Sequence, residues 1–306
     1  MDKPMPWKQR LSRWYRHRRE TIIAWAFLGP MVLYFLVFTL VPLIFLIVMS
    51  FMRWNIISPP EFIGVKNFIK LATFNNWFYW KVIGRTLIYA IAILSLNIVG
   101  GFSIALVMNQ KIKGRGLFRT AWYLPSVFSS AVMAILMGIY LNGSTNGVIN
   151  NILFKFGIQP VEWLNSSFWT PIITVLYAVW GGIGFTVLFF LAGLQGVDLN
   201  LYDAAKIDGA GDLQLLRYIT IPQMVPMLLF ISVTGLIGSM QMWEVPRLMS
   251  AGGPNFMTYT LVYSIQQDSF GALEMGLGTA QSLVLFIMLL VFIGFQLNNY
   301  RKQYNV

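Results

Sequence analysis

The chain has 306 residues, 57% of them hydrophobic, 11% charged, and a formal net charge of +11. A soluble domain carries about a quarter charged residues, so this is the composition of a polytopic membrane protein, and its basic groups lie between apolar runs rather than in a nucleic-acid-binding face. Cysteine is absent and the single histidine, His17, sits in a basic arm, which excludes disulfides and thiolate metal sites and argues against any metal centre.

Charged segments divide the chain into apolar runs, each long enough for the ~20 residues that a helix needs to cross a bilayer. The fold class expected is all-α, with six membrane spans at about 21–50, 86–108, 120–141, 169–194, 223–248 and 276–298. A basic arm over 1–20 precedes them and a tail over 301–306 follows. The charge-free stretch 248–267 is not counted, because its Gly252-Gly253-Pro254-Asn255 turn and polar end argue against a span. Six spans put both termini on one side, and that side would hold fifteen of the Lys and Arg residues against seven on the other. The bias places both termini in the cytoplasm. The arm, Met1–Glu20, is read as a topology and lipid-headgroup anchor. The apolar run behind it is too long for a signal peptide and lacks a small-residue cleavage site.

In chain order, the first span carries Pro30 and Pro42, so a kink or tilt is expected near them. The outer segment after it contains Phe62-Ile63-Gly64-Val65-Lys66-Asn67-Phe68. Its aromatic cluster, Phe74, Trp77, Phe78, Tyr79 and Trp80, fits an amphipathic piece at the membrane interface. The second span holds Asn97 and Gly100-Gly101, read as helix packing. A short basic turn, Lys111 to Arg119, leads to the third span, with Pro125 near its entry. The outer segment 142–168 reads as Asn-Gly turns around a small helix over 148–156.

The fourth span contains Trp180-Gly181-Gly182-Ile183-Gly184-Phe185. Glycine weakens a helix by roughly 1 kcal/mol relative to alanine. Two readings stand: close helix packing, or a cavity wall that bends. The fifth span gathers Gly235, Gly238, Ser239, Gln241, Trp243 and Glu244, with its polar and aromatic groups in the outer half. Rings that stack on a sugar face, beside groups that bond its hydroxyls, suit a carbohydrate.

Between spans four and five, the loop 195–222 is not written like a loop. Asp198 is a good N-cap, and Leu199–Ile207 contains neither Gly nor Pro. Asp208-Gly209 offers a stop, because Gly accepts the left-handed conformation that ends a helix. Asp212 can cap a second short helix over 213–219, with Pro222 and Pro226 at the entry to span five. The loop sets Asp198, Asp203, Asp208 and Asp212 against Lys206 and Arg217, an acidic patch on an otherwise basic side. Anionic headgroups would repel it; a basic protein partner would not.

Asp203-Ala204-Ala205-x-x-Asp208-Gly209-Ala210 with Ile219 and Pro222 at fixed spacing resembles the EAA signature of binding-protein-dependent ABC importer permeases, with Asp203 for the usual Glu, Leu216 for Phe and Ile221 for Leu. Phe62 to Phe68, Gly114 to Arg119 and the Ser250 to Pro254 turn are similar to further elements of the carbohydrate-uptake branch, which includes maltose-type permeases. The resemblance covers about 21–301. It implies a type I importer permease fold, with a coupling helix that docks into a cytosolic ATPase through Asp203, Ala204, Ala205, Asp208, Gly209, Ala210 and Pro222. It implies two ATPase subunits that use ATP and Mg, a second permease (a different chain), an extracytoplasmic solute-binding protein and a sugar as cargo, with membrane lipids around them. By the same resemblance Gly182, Phe185, Gly235, Gly238, Ser239 and Met242 fall on cargo-contacting positions. With Trp180, Gln241, Trp243 and Glu244 they make the candidate substrate path.

The chain has no G-x-x-x-x-G-K-[ST], so it binds no ATP by a P-loop, and no cofactor or metal of its own is expected. No catalytic constellation lies in a span, which disfavours an enzyme. Ion-coupled carriers keep ionisable groups at mid-membrane, whereas Arg85, Glu244 and Arg247 sit at span edges here. Glycerol phosphate or another non-sugar solute, and an ion-coupled carrier, remain as alternatives.

Overall fold

The computed structural model describes residues 7–73, 77–110 and 113–304; Lys3, Phe74, Lys111 and the last two residues of the tail lie outside them. Helix α1 (Trp7–Phe35) carries the basic arm directly into the first apolar run, so the two form one element. Pro30 does not end it. A wide turn over Leu36–Leu40 follows, then α2 (Val41–Ser50). At that turn the Val41 N–H reaches back to Leu36 O. A proline ring crowds the carbonyl four residues behind it and supplies no donor, so widening the helix just ahead of Pro42 removes the conflict. The expected kink thus takes the form of a wide turn.

Two short strands, β1 (Met52–Arg53) and β2 (Glu61–Phe62), pair antiparallel, the one departure from an all-helical chain among the described residues. Helix α3 (Lys66–Ala72) then places buried Asn67 at a junction. Its amide Nδ2 lies 2.9 Å from Ser50 O, 2.9 Å from Met52 O and 3.2 Å from Gly276 O. One side chain therefore ties the end of α2 to the start of the last helix. Helix α4 (Trp77–Asn109) takes four of the five residues of the aromatic cluster into its first turn: Tyr79 is buried while Trp77, Phe78 and Trp80 are exposed. The expected interfacial piece thus forms the start of a long helix.

The third span departs from expectation. It is not one helix over 120–141 but two, α5 (Arg115–Val127) and α6 (Ser130–Tyr140), bent by 96° at the break between them. Pro125 removes one donor from the last turn of α5, the Ser126 hydroxyl bonds to Tyr123 O at 2.8 Å, and Phe128 and Ser129 are extended. If the bent pair is one span, the described residues contain six helical spans; otherwise five.

In the outer segment, α7 (Val148–Lys155) forms close to where it is expected. Asn150 is fully buried at its centre. It donates to Asn142 O, Gly143 O and Val161 O, and accepts from the Val161 N–H and the Trp163 indole at 3.0 and 2.9 Å. Each such bond contributes about 1 kcal/mol, and more when its loss strands a buried partner. An Asn150→Leu variant should keep its spans but expose 142–168 to protease on the order of tenfold faster. Unchanged cleavage would show that this amide does not hold the segment.

Helix α8 (Trp169–Gln195) runs unbroken through its glycines. After it come α9 (Leu199–Ile207), α10 (Asp212–Leu215), a wide turn over Leu216–Thr220, and α11 (Ile221–Met240). Helices α12 (Glu244–Ser250) and α13 (Leu261–Gln266), a third wide turn over Gln267–Gly271, and α14 (Met275–Tyr304) complete the chain. Near the head of α14, Gln281 Nε2 donates to Asp268 at 2.6 Å, and burial pushes the Asp268 carboxyl above its ordinary range.

Small residues set the helix packing, as expected where lipid replaces water as solvent. Helices α4 and α8 run parallel, with Gly100 against Ile183, Gly101 against Thr186, and Phe102 against Phe190. Helix α11 returns antiparallel, with Gly193 of α8 near Met224 and Phe189 beside Phe230. The core end nearest α9 buries Met108, Phe190, Leu194 and Met224; the far end buries Val82, Ala90, Leu261 and Ala280. By contrast, none of the apolar window of Arg19–Ser50 is buried, so that face is left for lipid or a partner subunit.

Candidate functional site

The helices α4, α8 and α11 leave a cavity of about 490 Å³ between them. Its space comes from glycine. Gly238 would carry a Cβ into open space, and a Cβ at Gly182 would only touch the Asn97 amide, at 3.6 Å. Gly235 is tighter, since a Cβ there would lie 2.9 Å from Leu94 Cδ1. Close packing and cavity lining fall at different glycines of the fourth span: Gly182 lines the cavity, while a Cβ at Gly184 would lie 2.5 Å from the backbone oxygen of Trp122 in α5, and the helix runs unbroken through both.

The fifth span is not helical to 248. It stops at Met240, unwinds over 241–243, and restarts as α12 at Glu244. Pro246 is the cause, because a continuous helix would need its N–H and would drive its ring into Met242 O. That freed carbonyl instead accepts from Thr260 Oγ1 at 2.7 Å. The unwinding turns Gln241, Met242, Trp243 and Glu244 onto the cavity wall.

Nine of the ten residues of the candidate substrate path therefore line one cavity: those four, Gly182 and Phe185 from α8, and Gly235, Gly238 and Ser239 from α11. Trp180 does not. It packs with Tyr177, Ala134 and Val245 in a separate cluster, because its position on α8 turns it toward α6 and α12. Sequence reading assigned Asn97 to packing and did not single out Ser130, Tyr177, Thr186 or Thr234, all of which reach the cavity wall. A lone amide in an apolar run was a usable signal for Asn97. Nothing local marked Ser130, which arrives only because α6 bends away from α5. Its hydroxyl donates to the Glu244 carboxylate, and its carbonyl accepts from Tyr177 at 2.9 Å. On the α9 side of the cavity, Phe185, Phe189 and Phe230 form a row, with ring centroids 4.4 and 5.0 Å apart.

At the far end of α8 and α11 lies the acidic elbow. Asp198 caps α9 by accepting from the Asn200 N–H at 2.9 Å. At its other end Gly209 has φ +84°, with the Gly209 N–H bonded to Lys206 O and the Ala210 N–H to Ala205 O at 3.0 and 2.9 Å. This paired arrangement closes a helix with a left-handed glycine. Asp203, Ala204 and Asp208 are exposed; Ala205 and Ala210 are half-buried. Tyr202 holds α9 to the foot of α11 through a 2.9 Å bond to Thr220. Two expectations change here. The N-cap of α10 is Gly211, whose N–H is held by Gln214 Oε1 at 2.8 Å, and Asp212 is the first helical residue. Nor is 213–219 a separate helix. It runs through the wide turn into α11, where the Ile221 N–H reaches Leu216 O, so Pro222 sits inside continuous helix, relieved as Pro42 is. The elbow also exposes Leu199, Ile207 and Leu213 at 74%, 86% and 77%, beside its four aspartates.

A model of the family described as binding-protein-dependent transport system inner membrane component matches residues 97–302. The arabinooligosaccharides transport system permease protein AraP of Bacillus subtilis (strain 168) is 34% identical over 269 residues, covering 87% of this chain and 84% of that protein. The lactose transport system permease protein LacF of Rhizobium radiobacter is 30% identical over 299 residues, covering 95% and 99%. Among solved structures, a chain of a bacterial alginate ABC transporter in complex with an alginate pentasaccharide-bound periplasmic protein superposes with a TM-score of 0.81 at 24% identity, covering 95% of this chain and 98% of that one. At that identity the likeness speaks for the fold. From the matched family model and relatives at 30% identity or more across most of its length, the chain belongs to the binding-protein-dependent transport system inner membrane components, the multi-pass permeases of ABC importers.

Proposed function

We propose that this permease forms one half of the membrane path for a sugar or oligosaccharide, and that nucleotide-driven motion enters through the elbow at 195–222. One observation carries the reading: the same two rigid helices, α8 and α11, meet the elbow at one end and line the cavity at the other. At 1.5 Å per residue, Gly182 lies about 20 Å from the elbow end of α8. A push on α9 therefore moves the cavity wall as a lever, with Tyr202 and Thr220 coupling it to α11. Exposed Leu199, Ile207 and Leu213 give a partner an apolar grip, and Asp203, Asp208 and Asp212 favour one with a basic rim. Ala204, Ala205 and Ala210 permit close approach.

The partners are two ATPase subunits, which bind ATP and Mg, a second and different permease chain, and an extracytoplasmic binding protein that delivers cargo. Both termini and the elbow face the cytoplasm. Support for a sugar comes from relatives whose names refer to arabinooligosaccharides and lactose, and from a cavity that sets Phe185 and Trp243 among hydrogen-bonding groups. Its volume falls in the ordinary range for small-molecule sites. The complex should be isolated through this chain, reconstituted in liposomes and offered binding protein with a panel of sugars. ATP hydrolysis is expected to rise with one sugar class, and that sugar to be carried only with ATP. Uptake without nucleotide, or an elbow labelled from the outside of intact cells, would overturn the proposal.

A further inference from the structure

The cavity's hydroxyls are one-sided in their hydrogen bonding, and the side-chain donors left on its wall are the Gln241 amide and the Trp243 indole. Each lining hydroxyl already spends its proton inside the protein. Thr234 and Ser239 donate to Phe230 O and Gly235 O, both at 2.8 Å, and Thr186 donates to Gly182 O at 3.5 Å. Tyr177 donates to Ser130 O at 2.9 Å, and Ser130 to Glu244. What these groups offer a ligand is lone pairs. Asn97 continues the pattern: its Nδ2 is bonded to Ile93 O at 3.0 Å, while its buried Oδ1 has no partner. Glu244 adds a carboxylate, and no Lys, Arg or His lines the cavity. Glu244 sits beside the N-terminal end of α6, held there by the Ser130 hydroxyl.

We propose that this half of the path selects a donor-rich, uncharged saccharide and rejects carboxylated or sulfonated ones, with Glu244 as the charge filter and Asn97 Oδ1 as an acceptor for a cargo hydroxyl. The inference rests on the sugar-importer reading above and adds the cargo's charge class. Sugar hydroxyls bring protons to these lone pairs and can also accept from Gln241 and Trp243. A carboxylate or sulfonate is an acceptor only; it finds the neutral donors of Gln241 and Trp243 beside a like charge, with no cation to offset its lost hydration. The relatives leave this choice open, since one solved importer in the same fold carries an acidic polysaccharide.

The test uses the reconstituted complete transporter and matched pairs, a neutral oligosaccharide and its uronic acid counterpart. Uptake is normalised to the measured occupancy of the delivering binding protein, so that delivery and passage are separated. The neutral member is expected to be carried about a hundredfold better in kcat/KM. Glu244→Gln, which keeps the shape and the Ser130 contact, should narrow that ratio by about tenfold or more. Asn97→Leu should raise KM for the neutral sugar about tenfold with a smaller change in kcat, a split that a general folding defect does not give. Equal passage of both members, or an unchanged ratio in Glu244→Gln, overturns the charge filter and leaves the importer reading standing. Failure to carry any saccharide with ATP overturns the importer reading itself.

Discussion

A Gly209→Val permease is expected to insert into the membrane at ordinary levels and yet lose ATP-driven uptake by about a hundredfold, the scale of loss that an ångström of misplacement can cause. Gly209 sits at φ +84°, where a side chain strains the backbone and a β-branched one does so most. Nothing lies within 4 Å of a Cβ built there. The penalty is therefore conformational and does not come from blocking a neighbour. Once φ changes, the bonds from Gly209 and Ala210 back to Lys206 and Ala205 break, and α9 no longer leaves α10 at the same angle. Gly209→Asn isolates the cause. Asparagine tolerates the left-handed region, so it should keep most of the uptake despite being as bulky as valine. Uptake in liposomes, normalised to inserted protein, reads both. Normal uptake by the valine variant, or equal loss in both variants, would count against the elbow's turn as the route of coupling.

The second large effect is structural. Gly184→Val should fail to yield folded, monodisperse protein, whereas Gly181→Ala three residues away should behave as the parent does. At Gly184 the new Cβ would lie 2.5 Å from Trp122 O and 3.3 Å from Tyr123 Cα, both backbone atoms that cannot rotate aside. Helix α5 would have to move off α8. Overpacking of that kind costs about 1–3 kcal/mol and more when backbone must shift. At Gly181 a Cβ meets nothing within 4 Å, and alanine is the better helix former. Size-exclusion profiles and thermal stability in detergent give the comparison. A stable Gly184→Val protein would mean that α5 is free to withdraw, contrary to the tight seam described here.

The two glycines look alike in sequence, and that likeness marks the limit of what sequence reading reached. The elbow was legible because its determinants are local. An aspartate caps within two residues, a left-handed glycine closes a helix within five, and the apolar runs on either side declare themselves by length. Residues on the fifth span were legible as a polar and aromatic group, and nine of the ten candidate positions share one cavity. Trp180 was not separable from its neighbours, since only the placement of α6 and α12 decides that it faces a packed cluster. The 96° bend after α5 was missed because Pro125 and the serines weaken a helix without saying which way the chain turns next. Likewise Pro246 forbids a continuous helix, but it does not say that Thr260 will satisfy the freed carbonyl of Met242.

By itself, then, the sequence determined the apolar runs, the Asp198 cap and Gly209 stop of the elbow, and the family signature, because these depend on hydropathy and on hydrogen bonds between near neighbours in the chain. Tertiary structure alone decided which glycine makes room and which makes contact, that Ser130 meets Glu244 across 114 positions, and that the cavity's hydroxyls turn their lone pairs to the space. The physical reason is that a hydroxyl or amide has a fixed inventory of protons and lone pairs, while the direction in which it spends them is set by whichever distant backbone packing brings within 3 Å.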